Sequence, residues 1–295
     1  MEVSDRLLDR AMGIGARSVA VVGTGKNVGK TVVMRAIYRA ALARGMKVGL
    51  TSIGRDGEAN DFVDAFAKPR LRLAAGTLVA GALGALPRSP ALEWCESTEI
   101  QSASGPIAIV RVRTESEIEL VGAPTASGLR GSVAALFAHG AEFVAIDGAI
   151  DRIAALRGED AVIVSCGAAG STSVEAIAAE AGALVALLAL PRHDDTSAAL
   201  RIEGALTPMR AAELIARGER RPIVVRDATR VTLRGRALLG ALDRLQIRVE
   251  RPLRPVAVTV NSVGRAGSVE PKALLHAVRA AVSLPTFDLF AASAA

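Results

Sequence analysis

Aromatic residues make up only 3% of this chain: one Trp, one Tyr and six Phe among 295 residues. A core for that length must therefore be filled by Ala, Val and Leu, and a hydrophobic content of 51% supplies them. Small side chains of this kind suit helices packed closely on a sheet, and the composition excludes a disordered chain. Charge of one sign is also in short supply. Against 30 Asp and Glu stand 36 Lys and Arg, a net of +6, and few aromatics are interleaved with the arginines. A nucleic-acid groove is not expected from that pattern.

Cysteine is scarcer still. Cys95 and Cys166 are far apart and outside any CxxC pattern, so no disulfide framework can form, and a reducing cytoplasm is the expected setting. Long apolar runs are missing. The longest, AAGTLVAGALGALP and ALVALLALP, fall short of the roughly 20 residues that span a bilayer, so no membrane segment is expected. The start, MEVSDRLLDRAMGIGARS, has acidic and polar residues where a secretory leader carries a charged and then an apolar stretch.

What is present is an alternation of β-rich runs with helical patterns. SVAVVG is followed by a helical pattern over Val32 to Gly45, and KVGLTSIG by one near Asn60 to Ala67. EFVAIDG, AVIVSCG and ALVALLALP read as further strands among Ala-rich helices. Near-continuous apolar strands are those of a parallel sheet buried on both faces, so the expected fold is α/β, a doubly wound, mostly parallel sheet. PIAIVRVRTESEIELVG alternates more openly, with Glu115, Glu117 and Glu119 at every second residue, and predicts a β-hairpin or edge strand with one wet face. Late strands are expected at RPIVVRDATR, PVAVTVNSV and LPTFDLF, with helices near 236–245 and 271–282. With no repeat or clear linker, one domain over 1–295 with an insertion near 70–125 is the expected organisation.

The stretch GTGKNVGKT, Gly23 to Thr31, lies between the first strand and the first long helical pattern. A Gly-rich loop in that position turns several backbone N–H groups into one concavity, and the helix N-terminus adds positive potential. Phosphates are its natural guests. Gly23, Thr24, Gly25, Lys26, Asn27, Val28 and Gly29 would line the cradle, Lys30 would reach the terminal phosphates, and the Thr31 hydroxyl would hold Mg2+. The strict spelling GxxxxGK[ST] needs glycine at position 24, where this chain has Thr24 flanked by Gly23 and Gly25. A chance GKT in a strand-to-helix turn is the plainer alternative.

Two carboxylates follow strands at the same kind of position. EFVAIDG brings Asp147 to a strand end, where it would join the metal's coordination shell; the alternative is a turn or helix cap. GRDGE, after the second strand, offers Asp56 as a metal ligand or water-positioning group, ahead of Glu58, although both could be turn formers. VTVNSVG supplies Asn261 without the Lys-x-Asp run of guanine readers. Asn can give adenine a donor and acceptor pair, so ATP is expected in preference to GTP. Cys166, in SCGAAGSTS, reads as a small buried residue, Ser171 and Thr172 as a helix N-cap, and His193 with Asp194 and Asp195 as a solvated loop outside the site.

The loop resembles that of dethiobiotin synthetase, GTxxxVGKT, at Gly23, Thr24, Val28, Gly29, Lys30 and Thr31. Over most of its length the chain resembles the reactivase subunit of lysine 5,6-aminomutase, the KamB type, at GRDGE, AGTLVAGA, Ser104 to Pro106, IELVG, AIDGAIDR, IVVRDATRV and VAVTVN. The resemblance implies a P-loop NTPase that binds and hydrolyses ATP with Mg2+. It implies as partners an adenosylcobalamin-dependent aminomutase and a second, larger reactivase ATPase subunit; a homodimer is compatible with it. The competing expectation is an ATP-dependent ligase of the dethiobiotin synthetase or cobyrinate amidase class. Against it, Gly54-Arg55-Asp56 stands where the synthetase has a Lys-Pro pair, and no His and Glu partners for a nucleophilic Cys166 are evident.

Overall fold

Leu7, Leu8 and Ala11 recur at helical spacing and give helix α1 (Val3–Gly13) its buried stripe. The structure is a computed structural model and describes residues 2–53, 70–148, 160–194, 198–264 and 267–289. By packing, the chain divides into two compact units: Met1–Val21 with Lys30–Ala155, and Val22–Gly29 with Leu156–Ala295.

In the first unit α1 is followed by β1 (Ser18–Gly23), whose last two residues count with the second unit, and by α2 (Lys30–Ala43) and β2 (Val48–Ser52). Then come β3 (Leu71–Leu73), β4 (Leu78–Ala82), β5 (Leu92–Ser102), β6 (Gly105–Val112), β7 (Ser116–Ile118), α3 (Ala126–Ala138) and β8 (Phe143–Asp147). Their sheet runs β1-β8-β2-β4-β6-β5. The first four strands are parallel, and β6 and β5 add antiparallel. β1 and β2 are buried at every position, as strands covered on both faces must be.

The block PIAIVRVRTESEIELVG does not fold back on itself as expected: the hairpin here is formed by β5 and β6, and PIAIVRVR is not its wet strand. β6 lies between β4 and β5 with a mostly buried centre, and the exposed edge strand is β5, carrying Glu93, Glu96 and Glu99. Glu117 lies in β7, which pairs with β3.

The second unit holds β9 (Ala161–Gly167), α4 (Val174–Leu188), β10 (Leu200–Arg201), α5 (Pro208–Ala216), β11 (Ile223–Asp227), α6 (Gly235–Leu242) and β12 (Ile247–Arg251). β13 (Arg254–Asn261), β14 (Val263–Gly264), β15 (Gly267–Ser268), α7 (Pro271–Ala281) and β16 (Thr286–Asp288) complete it. β9, β13 and β16 are parallel neighbours, β10, β11 and β12 form a small parallel sheet, and β14 and β15 a short hairpin. Both units are thus α/β with a mostly parallel sheet, compatible with a doubly wound fold. No helix among the described residues is long and apolar enough to cross a membrane.

One expected strand is a helix. ALVALLALP forms the last turns of α4 and its C-cap at Ala189, with Ala183, Leu184, Val185, Leu187 and Leu188 buried. Ala and Leu are strong helix formers, and a helix covered on most sides has no polar face to reveal its period. Its N-cap is Ser173, whose Oγ accepts from the Ala176 N–H; Ser171 instead accepts from the Ser173 N–H. The helix expected near Asn60 to Ala67 lies outside the described residues.

Candidate functional site

Between the end of β1 and the start of α2 the backbone enters the positive-φ region twice. Asn27 has φ 60° and Gly29 φ 96°, and Asn27 is the one non-glycine residue with positive φ among those described. Asn tolerates the left-handed region better than most side chains, so the turn of this loop falls on a residue suited to it. Gly25, Lys26 and Asn27 form the exposed tip, Thr24 and Gly29 are half-buried, and Val28 is buried as an anchor.

In the second unit both ends of this loop are tied to one residue of β9. The Thr24 N–H donates to the Ser165 carbonyl oxygen at 3.0 Å, and the Ser165 hydroxyl donates to the Val28 carbonyl oxygen at 2.6 Å. Ser165 is 1% exposed. A lone hydroxyl inside AVIVSCG is the signal the sequence carries for this residue: a polar group on a buried strand must find a partner.

In the first unit, α2 begins with Lys30 and Thr31 and has no acidic residue in its first turn, which leaves its positive end uncompensated by any carboxylate of the helix itself. The Thr31 hydroxyl donates to Asp147 Oδ2 at 3.3 Å. Asp147 ends β8, in register with Val21 of β1 on one side and Ser52 of β2 on the other. Its carbonyl oxygen accepts from the Ile53 N–H at 2.8 Å, which fixes the strand end that carries the carboxylate. Thr31 and Asp147 therefore meet, and hydroxyl and carboxylate oxygens are the ligands a hard divalent cation selects. Asp56 and Glu58 lie outside the described residues.

Asn261 ends β13 opposite Gly167 of β9 and is 7% exposed. Its Oδ1 accepts from the Val263 N–H at 3.1 Å, and its backbone oxygen accepts from the Ala168 N–H at 3.0 Å. A Cβ on Gly167 would lie 2.3 Å from the Asn261 backbone oxygen, so glycine is required for this approach. Cys166 is buried, its thiol pushed up to about 12 by burial, and its Sγ lies 3.6 Å from the Thr259 carbonyl oxygen. A thiol so far from ionisation is no nucleophile. His193, expected on a solvated loop, is instead 4% exposed, and its backbone N–H donates to the Val249 carbonyl oxygen at 2.9 Å. No group of three or more His, Cys, Asp or Glu among the described residues is placed to hold a metal ion.

Comparison with protein-family models, with curated proteins and with solved structures finds no match to this chain.

Proposed function

We propose that the chain binds Mg-ATP through Gly23–Thr31 and hydrolyses it slowly as an accessory protein. The observation that carries the nucleotide reading is the hydrogen bond from Thr31 to Asp147, in the first turn of a helix that follows a Gly-rich loop. Positive φ at Asn27 and Gly29 supports it, because alternation between right- and left-handed backbone makes a concave row of N–H donors. Lys30 supplies the charge for the terminal phosphates. Thr31 and Asp147 would supply two oxygens to Mg2+. Bound there, the cation would neutralise charge on the transferred phosphoryl group.

Asn261 is the proposed base reader. Its side-chain oxygen has a second lone pair after accepting from Val263, so donor and acceptor both remain for the edge of adenine. The accessory role, serving an adenosylcobalamin-dependent aminomutase beside a larger ATPase subunit, rests on the chain-wide resemblance. Its physical content is that nucleotide binding shifts a partner only if two states of the complex bind the nucleotide differently.

The test is calorimetric titration with Mg-ATP. Lys30→Ala removes a charge-assisted contact to phosphate, so affinity should fall about ten- to a hundredfold, or roughly 1.5 to 3 kcal/mol. Equal affinity in the two proteins refutes the cradle. In the same assay ATP should displace a labelled nucleotide at lower concentration than GTP.

A further inference from the structure

Ser165 stands out as a hydroxyl on the buried strand β9, among Val162, Ile163, Val164 and Cys166, all with no exposed surface. Its main-chain oxygen takes the Thr24 N–H at 3.0 Å and its side chain gives a proton to the Val28 oxygen at 2.6 Å. One residue thus holds the loop at its entry and near its exit, with only Gly25, Lys26 and Asn27 between.

We propose that Ser165 is a positioning residue that sets the direction of the loop's phosphate-binding N–H groups; the inference rests on the phosphate-loop reading above. The reason is the geometry of a trans peptide, in which C=O and N–H of one unit point in opposite directions. With the Val28 carbonyl held toward β9 by Ser165, the Gly29 N–H of the same peptide must point away from β9. At the other end the Thr24 N–H is held toward β9, so the Gly23 carbonyl points away from it. The positive φ of Asn27 and of Gly29 on either side of Val28 makes this stretch easy to flip, since glycine reaches many backbone states at little cost. The Ser165 hydroxyl selects among them. Without it the buried Val28 carbonyl loses its donor and the Val28–Gly29 peptide is free to turn its N–H elsewhere. Ser165 touches no phosphate in this account; it acts through Val28.

The experiment compares wild type with Ser165→Ala, Ser165→Thr and Ser165→Cys, each first shown by circular dichroism to melt cooperatively without nucleotide. Mg-ATP affinity is then measured by calorimetry well below every melting temperature. Ser165→Ala is expected to bind about ten- to thirtyfold more weakly, the scale of one buried hydrogen bond to a preorganised loop, while Ser165→Thr, which keeps the hydroxyl, stays within about threefold of wild type. Ser165→Cys fills the same space with a weak donor and should follow Ser165→Ala, which separates the hydroxyl from simple packing. A purely structural residue would lower the melting temperature and leave the affinity of the folded protein alone. If folded Ser165→Ala binds as wild type does, or if Ser165→Thr is as damaged as Ser165→Ala, the positioning role is wrong. Failure of both Ser165→Ala and Ser165→Cys to fold also overturns it, by making the residue part of the core alone. Should wild type itself not bind Mg-ATP, the phosphate-loop reading fails first and takes this inference with it.

Discussion

Asp147 has two possible employments, and the residue scale separates them. As a cap it would satisfy backbone N–H groups at the start of a following turn; as a metal ligand it needs a second oxygen beside it, which Thr31 provides at 3.3 Å. Asp147→Asn keeps the shape and drops the charge. Hydrolysis should therefore fall at least a hundredfold, about 2.7 kcal/mol in the barrier, with the folded protein retained and nucleotide binding without Mg2+ little changed. Steady-state release of phosphate checks the first point and titration in chelator the second. A wild-type rate would return Asp147 to the capping role. Thr31 and Asp147 were recognisable as candidates in the sequence because each is placed by a local pattern, a loop before a helix and an apolar run before a turn. Ser165 was not, since its work is done on Val28, 137 residues away in the chain.

At the scale of elements, periodicity identified β1, β2, β8, β9 and β13 because their apolar runs are short and bounded by glycine or polar residues. It misassigned the end of α4, where a run of Ala and Leu is buried too widely for a helical stripe to appear. Nor could the sequence show how strand ends are clamped. Ser52 ends β2, and its Oγ donates to the Leu120 carbonyl oxygen at 3.2 Å and accepts from the Gly122 N–H at 2.9 Å. The two segments approach so closely that a Cβ on Gly122 would lie 1.7 Å from the Ser52 backbone oxygen. Backbone cannot yield as the end of a flexible side chain can. Gly122→Ala should consequently cost about 3 kcal/mol or more in stability, near the upper limit for overpacking. Gly170→Ala is the control: nothing lies within 4 Å of a Cβ there, and that variant should melt close to wild type. Denaturant unfolding of both decides it, and similar midpoints would mean that β2 is not held at Ser52 as described.

For the molecule as a whole, the choice is between a nucleotide that controls a partner and one consumed in making a product. The α/β class was legible because composition and alternation bear on the whole chain at once. The division into two packing units was not, because it depends on which distant segments contact one another. A metal-bound phosphate loop is common to both functional readings, so Lys30→Ala cannot separate them. What separates them is the source of the stimulus. A controlling ATPase has little reason to turn over alone, since a cycle without a partner does no work, and its rate should rise when the partner stabilises the state that hydrolyses. A ligase should instead respond to a small acceptor that takes the activated group. The expected outcome is slow turnover by the isolated chain and at least a tenfold rise, about 1.4 kcal/mol in the barrier, when an aminomutase inactivated by turnover is added with the larger ATPase subunit and free adenosylcobalamin. Mutase activity should recover in the same mixture, and Lys30→Ala should abolish the part of the recovery that depends on this chain. Diamino acids with bicarbonate are the opposing arm. Stimulation there, with no recovery of the mutase, would sink the accessory role and leave the ligase in its place.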